Sequence, residues 1–285
     1  MKVDSGIIIN PPTIETARAF GSETEPVLLP GGFGTSYLAG HIVLKPKEWE
    51  GEDILNWLSE VFSKLPETKR VRFGKPVKSI HGNWVEDGYV ARNFLEGKYI
   101  PGKYEEKLKA SRELHDLLSN VEKPEFFEAP RHSWSASHAV ALGEAPFDYE
   151  GEFLELYREI EPYLEPIKNG HRLSHADLAG NFLYHPELPP AIIDFSPTFA
   201  PEGFAEGIML ADAITWEDPR EEELEVFKKI PNIEQMAWRG ALARIAEQAE
   251  HIKWFEKERE LAVTAAKKYK KAIEYFKKHF GKNKK

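Results

Sequence analysis

The spacing of apolar residues changes character about one third of the way along the chain. Between residues 27 and 97, short segments rich in Val, Tyr, Ile and Phe alternate with Gly and Asn turns, a pattern typical of β-strands in hairpins. We predict a five-stranded antiparallel sheet from the segments PVLL, GTSYL, HIVLKP, RVRFGKPVKS and GYVARNFLEG. One helix interrupts this sheet, because apolar residues from 54 to 65 fall on one helical face before Pro66.

After Pro101 the apolar period becomes helical. Two stripes recur at helical spacing: Leu108, Ser111, Leu114 and Leu118, and then Phe153, Tyr157, Ile160 and Leu164. A long helical stretch is predicted over most of 232–280. Segment 121–150 contains Pro and has no clean period, so we expect a surface excursion with one short helix there.

These patterns predict an α+β fold with two lobes. Residues 1–97 would form a small antiparallel-sheet N-lobe with one helix, and residues 98–285 a larger, mainly helical C-lobe that holds one hairpin. Small molecules bind preferentially in clefts between such lobes. We therefore look for functional residues at strand ends and in loops.

Composition narrows the function classes. The 285 residues contain no Cys, which excludes disulfides, thiolate nucleophiles and Cys-bound zinc. The net charge of −9 disfavours a nonspecific nucleic-acid binder, since such a protein needs clustered positive charge. Apolar runs fall far short of the ~20 residues of a membrane span, and a secretory signal is missing. We expect a cytoplasmic protein with neither a nucleic-acid nor a membrane partner.

The stretch SHADLAGNFLYHPELPPAIIDFSP (174–197) carries the candidate chemistry. Asp177 and Asn181 lie four residues apart, and Asp194 follows thirteen residues after Asn181. We predict strands at 182–184 and 191–195, joined by a proline-rich turn into a hairpin that brings Asp194 near Asp177 and Asn181. Two carboxylates and an amide oxygen suit Mg²⁺ carried in on the phosphates of a substrate.

The segment HADLAGN followed by AIIDF resembles the catalytic loop and metal-binding segment of the aminoglycoside phosphotransferase branch of the protein-kinase-like fold, usually HGDxxxxN and then IDF or IDW. LPGGFGTSYLAGHIVLKP is similar to the glycine loop and third-strand lysine of that fold, and GYVARNFLEG resembles its hinge. The order of these segments is the same, and the likeness covers most of the chain. The shortened HGDxxGN loop and the LPPxxIDFSP segment resemble those of uncharacterised bacterial members.

The resemblance implies an ATP- and Mg²⁺-dependent phosphotransferase that moves the γ-phosphate to a hydroxyl of a small molecule, of the aminoglycoside, sugar or amino alcohol class. Asp177 would orient that hydroxyl and take its proton. Asn181 and Asp194 would hold Mg²⁺, and Lys45 would bind the α- and β-phosphates.

Two further sets of residues follow from the resemblance. The backbone of the glycine loop would approach the phosphates at Gly31, Gly32 and Gly34. The main chain of Arg92, Asn93 and Phe94 would run beside the adenine. The glutamate that pairs with Lys45 stays open among Glu50, Glu52 and Glu60.

Alternatives remain. Asp177 and Asn181 are one residue closer than usual, so a catalytically silent nucleotide-binding protein of the same fold is the main alternative. His171, His175 and His185 suggest a metal hydrolase, although their spacing does not match HExxH and His175 is better explained as bracing the catalytic loop. The acidic stretch 216–225 is interpreted as a solvated helix face rather than the lining of a pocket for a cationic acceptor. No protein partner is indicated.

Overall fold

The computed structural model describes residues 10–31, 34–47, 51–127, 132–167 and 170–281. The chain divides into two compact units, 1–96 and 97–285. The first unit is built on an antiparallel sheet and the second is mostly helical, which confirms the predicted α+β class. No helix in the described ranges is both long enough and apolar enough to cross a membrane.

Within its described residues, the unit 1–96 contains two helices and seven strands. The helices are α1 (Ile14–Ala19) and α2 (Glu52–Lys64). The strands are β1 (Val27–Leu28), β2 (Tyr37–Ala39), β3 (Ile42–Pro46), β4 (Arg72–Phe73), β5 (Pro76–Val77), β6 (Val85–Glu86) and β7 (Tyr89–Asn93).

The sheet of this unit has six strands instead of the predicted five, in the order β1-β2-β3-β7-β5 with β6 also paired to β7. The additional strand comes from a hairpin between β6 and β7. Its two turn residues, Asp87 and Gly88, have φ values of 49° and 79°, as in a type I′ turn. The Asp-Gly pair is the sequence signal for this hairpin.

Helix α1 was not predicted, and it packs against the sheet. Thr13 and Thr16 cap its start reciprocally, the side chain of each accepting a hydrogen bond from the backbone N–H of the other. Ala17 and Phe20 join a buried core with Ile42 and Leu44 of β3. The apolar stripe of α2 was predicted correctly.

The unit 97–285 contains the remaining elements. The helices are α3 (Tyr104–Leu118), α4 (Ser133–Leu142), α5 (Glu152–Ile160), α6 (Phe204–Asp212), α7 (Glu221–Leu224), α8 (Ile233–Trp254), α9 (Arg259–Lys268) and α10 (Lys270–Phe280). The strands are β8 (Arg172–His175), β9 (Phe182–Leu183), β10 (Ala191–Ile192) and β11 (Pro197–Ala200), and a π-helical segment (Ala213–Glu217) extends α6.

Helices α6 and α8 cross with their backbones in contact. A Cβ atom on Gly207 would lie 2.1 Å from the carbonyl oxygen of Met236, and one on Gly240 would lie 2.4 Å from the backbone of Gly207. Only glycine fits at both positions. This close approach sets Asp212 and Arg244, one to two turns further along the two helices, within hydrogen-bonding distance of each other.

Helix α4 is the one short helix expected in segment 121–150, but it does not belong to a surface excursion. It packs against α8, and most of its residues from Ser137 onward are buried, including His138. Its polar and small residues form no apolar stripe, so its burial was not expected from the sequence.

The predicted hairpin forms, with Ala191 opposite Leu183 and Ile192 opposite Phe182. The prediction missed a second pair, in which β8 runs antiparallel to β11 on the flanks of the hairpin. Proline at the first residue of β11 made this strand hard to recognise. The two pairs fix both ends of the segment that carries Asp177 and Asp194.

Candidate functional site

The ring of His175 organises the loop that carries Asp177. His175 is fully buried, and its Nδ1 accepts hydrogen bonds from the backbone N–H groups of Asp177 (3.3 Å) and Ser196 (3.2 Å). Its Nε2 lies 3.1 Å from the carbonyl oxygen of Ile193 and donates to it. Burial lowers the pKa of His175 to about 4, so the ring is neutral. These contacts confirm the bracing role and leave neither ring nitrogen for a metal.

The shortened loop places Asn181 beside Asp177. The backbone N–H of Asn181 donates to the carbonyl oxygen of Leu178 at 3.1 Å, which closes a tight turn. The amide Nδ2 of Asn181 then donates to the backbone oxygen of Asp177 at 2.7 Å and to its Oδ2 at 3.0 Å. The Asn181 Oδ1 atom makes no hydrogen bond within the described ranges, and a hard-oxygen ligand of this kind suits Mg²⁺.

Asp194 follows directly on the hairpin. The N–H of the preceding residue, Ile193, donates to the backbone oxygen of Asn181 at 3.0 Å. Asp194 itself has φ 53°, a left-handed conformation that Asp tolerates better than most residues. Contacts from His175 hold Ile193 and Ser196 on either side of it. The backbone around Asp194 is therefore tied to the loop of Asp177.

An unpredicted arginine pairs with Asp177. Arg244 of α8 donates from Nη2 to Asp177 Oδ1 at 2.5 Å and to Asp212 Oδ2 at 2.7 Å. Its Nε lies 3.1 Å from both oxygens of Asp212, and its Nη1 donates to Glu247 at 2.8 Å. One guanidinium thus joins three carboxylates, and nothing in the local sequence around Asp177 points to a residue 67 positions away.

The charges of this cluster differ among its members. Burial raises the pKa of Asp177, but the guanidinium of Arg244 and the amide of Asn181 outweigh it, so that pKa lies below its usual range. For Asp212 and Glu247 burial outweighs the attraction of Arg244, and their pKa values are raised. Of the three carboxyl groups around Arg244, only that of Asp177 has a lowered pKa.

A pocket of about 710 Å³ opens over this cluster. Its lining comes from Tyr99, Pro101, Asp177, Ala179, Gly180, Asn181, Asp212, Trp216, Glu217, Arg244, Glu247, Gln248 and Tyr269. The wall combines carboxylates with aromatic rings, and Trp216 is 49% exposed. Such a surface favours a small molecule with hydroxyl and cationic groups.

Glu217 shows that the acidic stretch 216–225 has two roles. Its carboxylate accepts hydrogen bonds from the hydroxyls of Tyr99 (2.6 Å) and Tyr104 (2.8 Å) and from the N–H of Gly102 (2.7 Å). Buried Lys107 lies 3.2 Å from this carboxylate and 3.2 Å from the backbone oxygen of Ala179. The start of the stretch therefore lines the pocket.

The rest of that stretch forms surface ion pairs, as the solvated-face interpretation expects. Glu221 pairs with Lys278 at 2.6 Å, and Glu223 pairs with Arg220 at 3.1 Å.

Lys45 lies in β3 opposite Val90 of β7. Burial alternates along β3. Lys45 therefore lies on the same face of the sheet as Val43, and the buried side chains of Ile42 and Leu44 lie on the other face. Two of its candidate partners form other ion pairs, Glu60 with Lys64 at 2.9 Å and Glu52 with Lys47 at 2.8 Å. The third candidate, Glu50, lies outside the described residues.

The described part of the glycine loop forms a turn. Gly31 and Gly34 have φ values of 96° and 66°, which favour glycine, and the N–H of Gly34 lies 3.3 Å from the carbonyl oxygen of Gly31. Gly32 lies outside the described residues. The phosphate-binding role of this loop stays a prediction.

The backbone donors at 92–94 are used within the unit. The N–H of Asn93 donates to Lys75 at 2.8 Å and that of Phe94 donates to His41 at 2.8 Å. The guanidinium of Arg92 lies over the ring of Phe62, 5.2 Å from its centroid. Phe94 is 39% exposed, and the adenine-binding role of this segment stays a prediction.

In the described ranges no three His, Asp or Glu side chains form a cluster that could hold a metal ion. The predicted Mg²⁺ ligands differ from such a cluster, because they comprise one amide and one carboxylate alongside nucleotide phosphates. That arrangement stays a prediction.

No protein-family model matches the chain, and no curated protein matches its sequence. Solved structures do share its fold. A microcompartment-associated aminopropanol kinase is 16% identical, with a TM-score of 0.66 over 94% of this chain and 97% of that chain.

Two further structures support the same assignment of the fold. A spectinomycin phosphotransferase bound to AMP is 14% identical, with a TM-score of 0.59 over 92% of this chain and 96% of that chain. The choline kinase of Streptococcus pneumoniae is 14% identical, with a TM-score of 0.58 over 92% and 97% of the two chains. These likenesses confirm the predicted fold and, at the level of the fold, the resemblance to aminoglycoside phosphotransferases.

Proposed function

We propose that this protein is an ATP- and Mg²⁺-dependent kinase that phosphorylates a hydroxyl group of a small molecule. The hydroxyl oxygen attacks the γ-phosphorus, the bond from that phosphorus to the bridging oxygen of ADP breaks, and the hydroxyl proton passes to Asp177. The observation that carries this proposal is the placement of an oriented, anionic Asp177 at the wall of a pocket of about 710 Å³. The fold is shared with small-molecule kinases.

Asp177 would act mainly by orienting the acceptor. Its lowered pKa makes it a weak base, so proton transfer comes late in the reaction, when the hydroxyl has become more acidic. Asp177 Oδ1 accepts from Arg244 and Oδ2 accepts from Asn181. Each oxygen keeps a second lone pair, and the side chain is 39% exposed, so a hydroxyl can reach it.

Lys45 and the loop of Gly31, Gly32 and Gly34 would bind the nucleotide phosphates. Asn181 and Asp194 would hold Mg²⁺, which offsets the negative charge of the phosphates when it is bound. The uncommitted Oδ1 of Asn181 fits this role. The AMP complex of the spectinomycin phosphotransferase supports nucleotide binding by the fold.

The pocket favours an acceptor that carries an amine. Asp212, Glu217 and Glu247 supply carboxyl groups to its wall. The half-exposed ring of Trp216 already carries one cation, the ammonium of Lys268 at 4.5 Å from a ring centroid, so this part of the wall suits positive charge. The names of the structural neighbours, aminopropanol kinase and choline kinase, belong to the same amino alcohol class. Within the predicted classes we therefore place amino alcohols and aminoglycosides ahead of neutral sugars.

A catalytically silent nucleotide-binding protein is the second candidate. The observation in its favour is that both oxygens of Asp177 already accept hydrogen bonds from protein groups. In that case ATP would bind without transfer.

A screen distinguishes these candidates. The purified chain is incubated with ATP and Mg²⁺ and with ethanolamine, choline, 1-amino-2-propanol, glucosamine, kanamycin or glucose, and ADP release and the phosphorylated acceptor are measured. A thermal-shift series with Mg·ATP reports binding without turnover.

We expect phosphorylation of an amine-bearing acceptor. Asp177→Asn should lower its rate by ~10³-fold, whereas Asp116→Asn, which removes an exposed carboxylate on α3, should leave the rate unchanged. Binding of Mg·ATP with no product from any acceptor, and no effect of Asp177→Asn, would favour the silent protein. Failure to bind Mg·ATP would contradict both.

A further inference from the structure

Arg244 is an unusual residue for the centre of a helical core. It is 8% exposed, and it follows Ala241, Leu242 and Ala243 on α8, which are buried. A buried guanidinium is costly unless its donors are paired. All three of its nitrogens donate to carboxylates.

The carboxylates that hold Arg244 are themselves anchored. Tyr269 donates its hydroxyl to Asp212 at 2.6 Å, and the indole N–H of Trp134 donates to Glu247 at 2.9 Å. The two anchors come from α4 and from the junction between α9 and α10, and the carboxylates that they hold come from α8 and α6. Rotation of the guanidinium would break several of these bonds at once, so its position is fixed by the packed helices.

Asp177 is the most exposed of the three carboxylates that bind Arg244, and it lines the pocket. Arg244 approaches its Oδ1 and Asn181 approaches its Oδ2, which defines the plane of the carboxylate. A planar guanidinium can bridge Asp177 and Asp212 while a third nitrogen reaches Glu247. The single ammonium of a lysine lacks this geometry.

We infer that Arg244 is a positioning residue for the transfer step, holding the Asp177 carboxylate in the orientation that meets the acceptor hydroxyl. The inference deepens the proposed function and rests on it for its catalytic consequence. A purely structural Arg244 would contribute to folding alone.

Kinetic constants of Arg244→Lys and Arg244→Ala test this role, with the best acceptor of the screen. We expect kcat to fall by ~10- to 100-fold in both, because small displacements of a catalytic group cost up to this much. The KM for ATP should stay within about 3-fold, since Arg244 is not assigned to the nucleotide. Guanidinium chloride at low concentration should restore part of the kcat of Arg244→Ala by filling the space of the missing group.

Arg239 provides the matched control. It lies on the same helix and is 5% exposed, but it donates to the backbone oxygens of Ala141 and Glu165. Arg239→Lys and Arg239→Ala should lower the melting temperature without changing kcat at a temperature where the variant is folded. Their kcat should not respond to guanidinium.

A crystal structure of Arg244→Lys gives a readout that needs no turnover. We expect the Asp177 carboxylate to adopt a different rotamer or plane from the wild type. An unchanged carboxylate, or an Arg244→Lys kcat within about 2-fold of wild type, would overturn the positioning role. If the wild type phosphorylates nothing, the proposed function fails, and the crystal comparison alone decides whether Arg244 holds Asp177.

Discussion

Helix α6 carries a buried carboxylate near each end, and the two behave differently. Near its start, Glu206 is 1% exposed and accepts a hydrogen bond from Ser111 at 2.7 Å beside His115 Nδ1 at 3.2 Å. At its end, Asp212 is 5% exposed and binds Arg244 and Tyr269. Burial raises the pKa of both, but His115 and Ser111 reverse this for Glu206, whose pKa falls to about 2.

The difference shows that burial and a shifted pKa do not identify a functional group. Glu206 has the clearer shift, yet it does not line the pocket, whereas Asp212 does. Glu206 reaches the site only indirectly, through His115. The Nε2 atom of His115 accepts a hydrogen bond from the backbone N–H of His175 at 3.0 Å, and this contact braces β8. The Glu206 cluster therefore supports the fold, and the Asp177–Arg244–Asp212 cluster is the one that the proposed function uses.

The largest expected effect is on catalysis at the Asp177–Arg244–Asp212 cluster. Asp177→Asn should lower kcat by ~10³-fold, since it removes the group that orients and deprotonates the hydroxyl. The free energy of unfolding should change by less than about 1 kcal/mol, because Arg244 keeps Asp212 and Glu247. Steady-state kinetics and urea unfolding measure the two quantities. A large stability loss with a normal kcat would reverse our assignment of the clusters.

The Glu206 cluster should show the opposite result, a loss of stability with little change in kcat. Glu206→Gln should lower the free energy of unfolding by about 3 kcal/mol, because a neutral amide replaces the charged carboxylate oxygen that buried His115 and Ser111 share as their acceptor. The kcat should stay within about 3-fold of wild type where the variant is folded. Equal unfolding midpoints for the variant and the wild type would contradict a stabilising role.

The pH dependence of stability should separate the clusters further. The pKa of Glu206 is about 2 in the folded state and 4.5 as an ordinary glutamate, so the unfolded state binds more protons between these values. Its contribution is present above about pH 4.5 and is lost as pH falls toward 2, in total on the order of 3 kcal/mol. Urea unfolding of wild type and Glu206→Gln should therefore converge over this range, and a constant difference would argue against the lowered pKa.

The smallest expected effect comes from Tyr269, which anchors Asp212 in the Asp177–Arg244–Asp212 cluster. Tyr269→Phe removes one hydroxyl from Asp212 and should cost about 1 kcal/mol of stability. It should also lower kcat several-fold, because Asp212 holds Arg244. Tyr149→Phe is the control, since its hydroxyl binds Glu250 away from the pocket lining. Equal changes in kcat for Tyr269→Phe and Tyr149→Phe would contradict an influence of Tyr269 on Asp177.

The sequence alone determined the local structure of this protein and the residue types of its loop. Apolar periodicity gave α2, α3, α5, the long C-terminal helices and most of the sheet, because each depends on residues close together in the chain. The bracing by His175 was also accessible, since this residue lies next to the loop that it holds.

Only the tertiary structure decided the pairing of Asp177 with Arg244 and, through it, with Asp212. Arg244 lies in an apolar stretch of α8 and Asp212 ends α6, and no periodicity relates either residue to the catalytic loop. Their meeting depends on the contact of α6 with α8 at Gly207 and Gly240, a property of two helix surfaces in space. Side-chain pairing across such distances is set by packing, and local sequence carries no record of it.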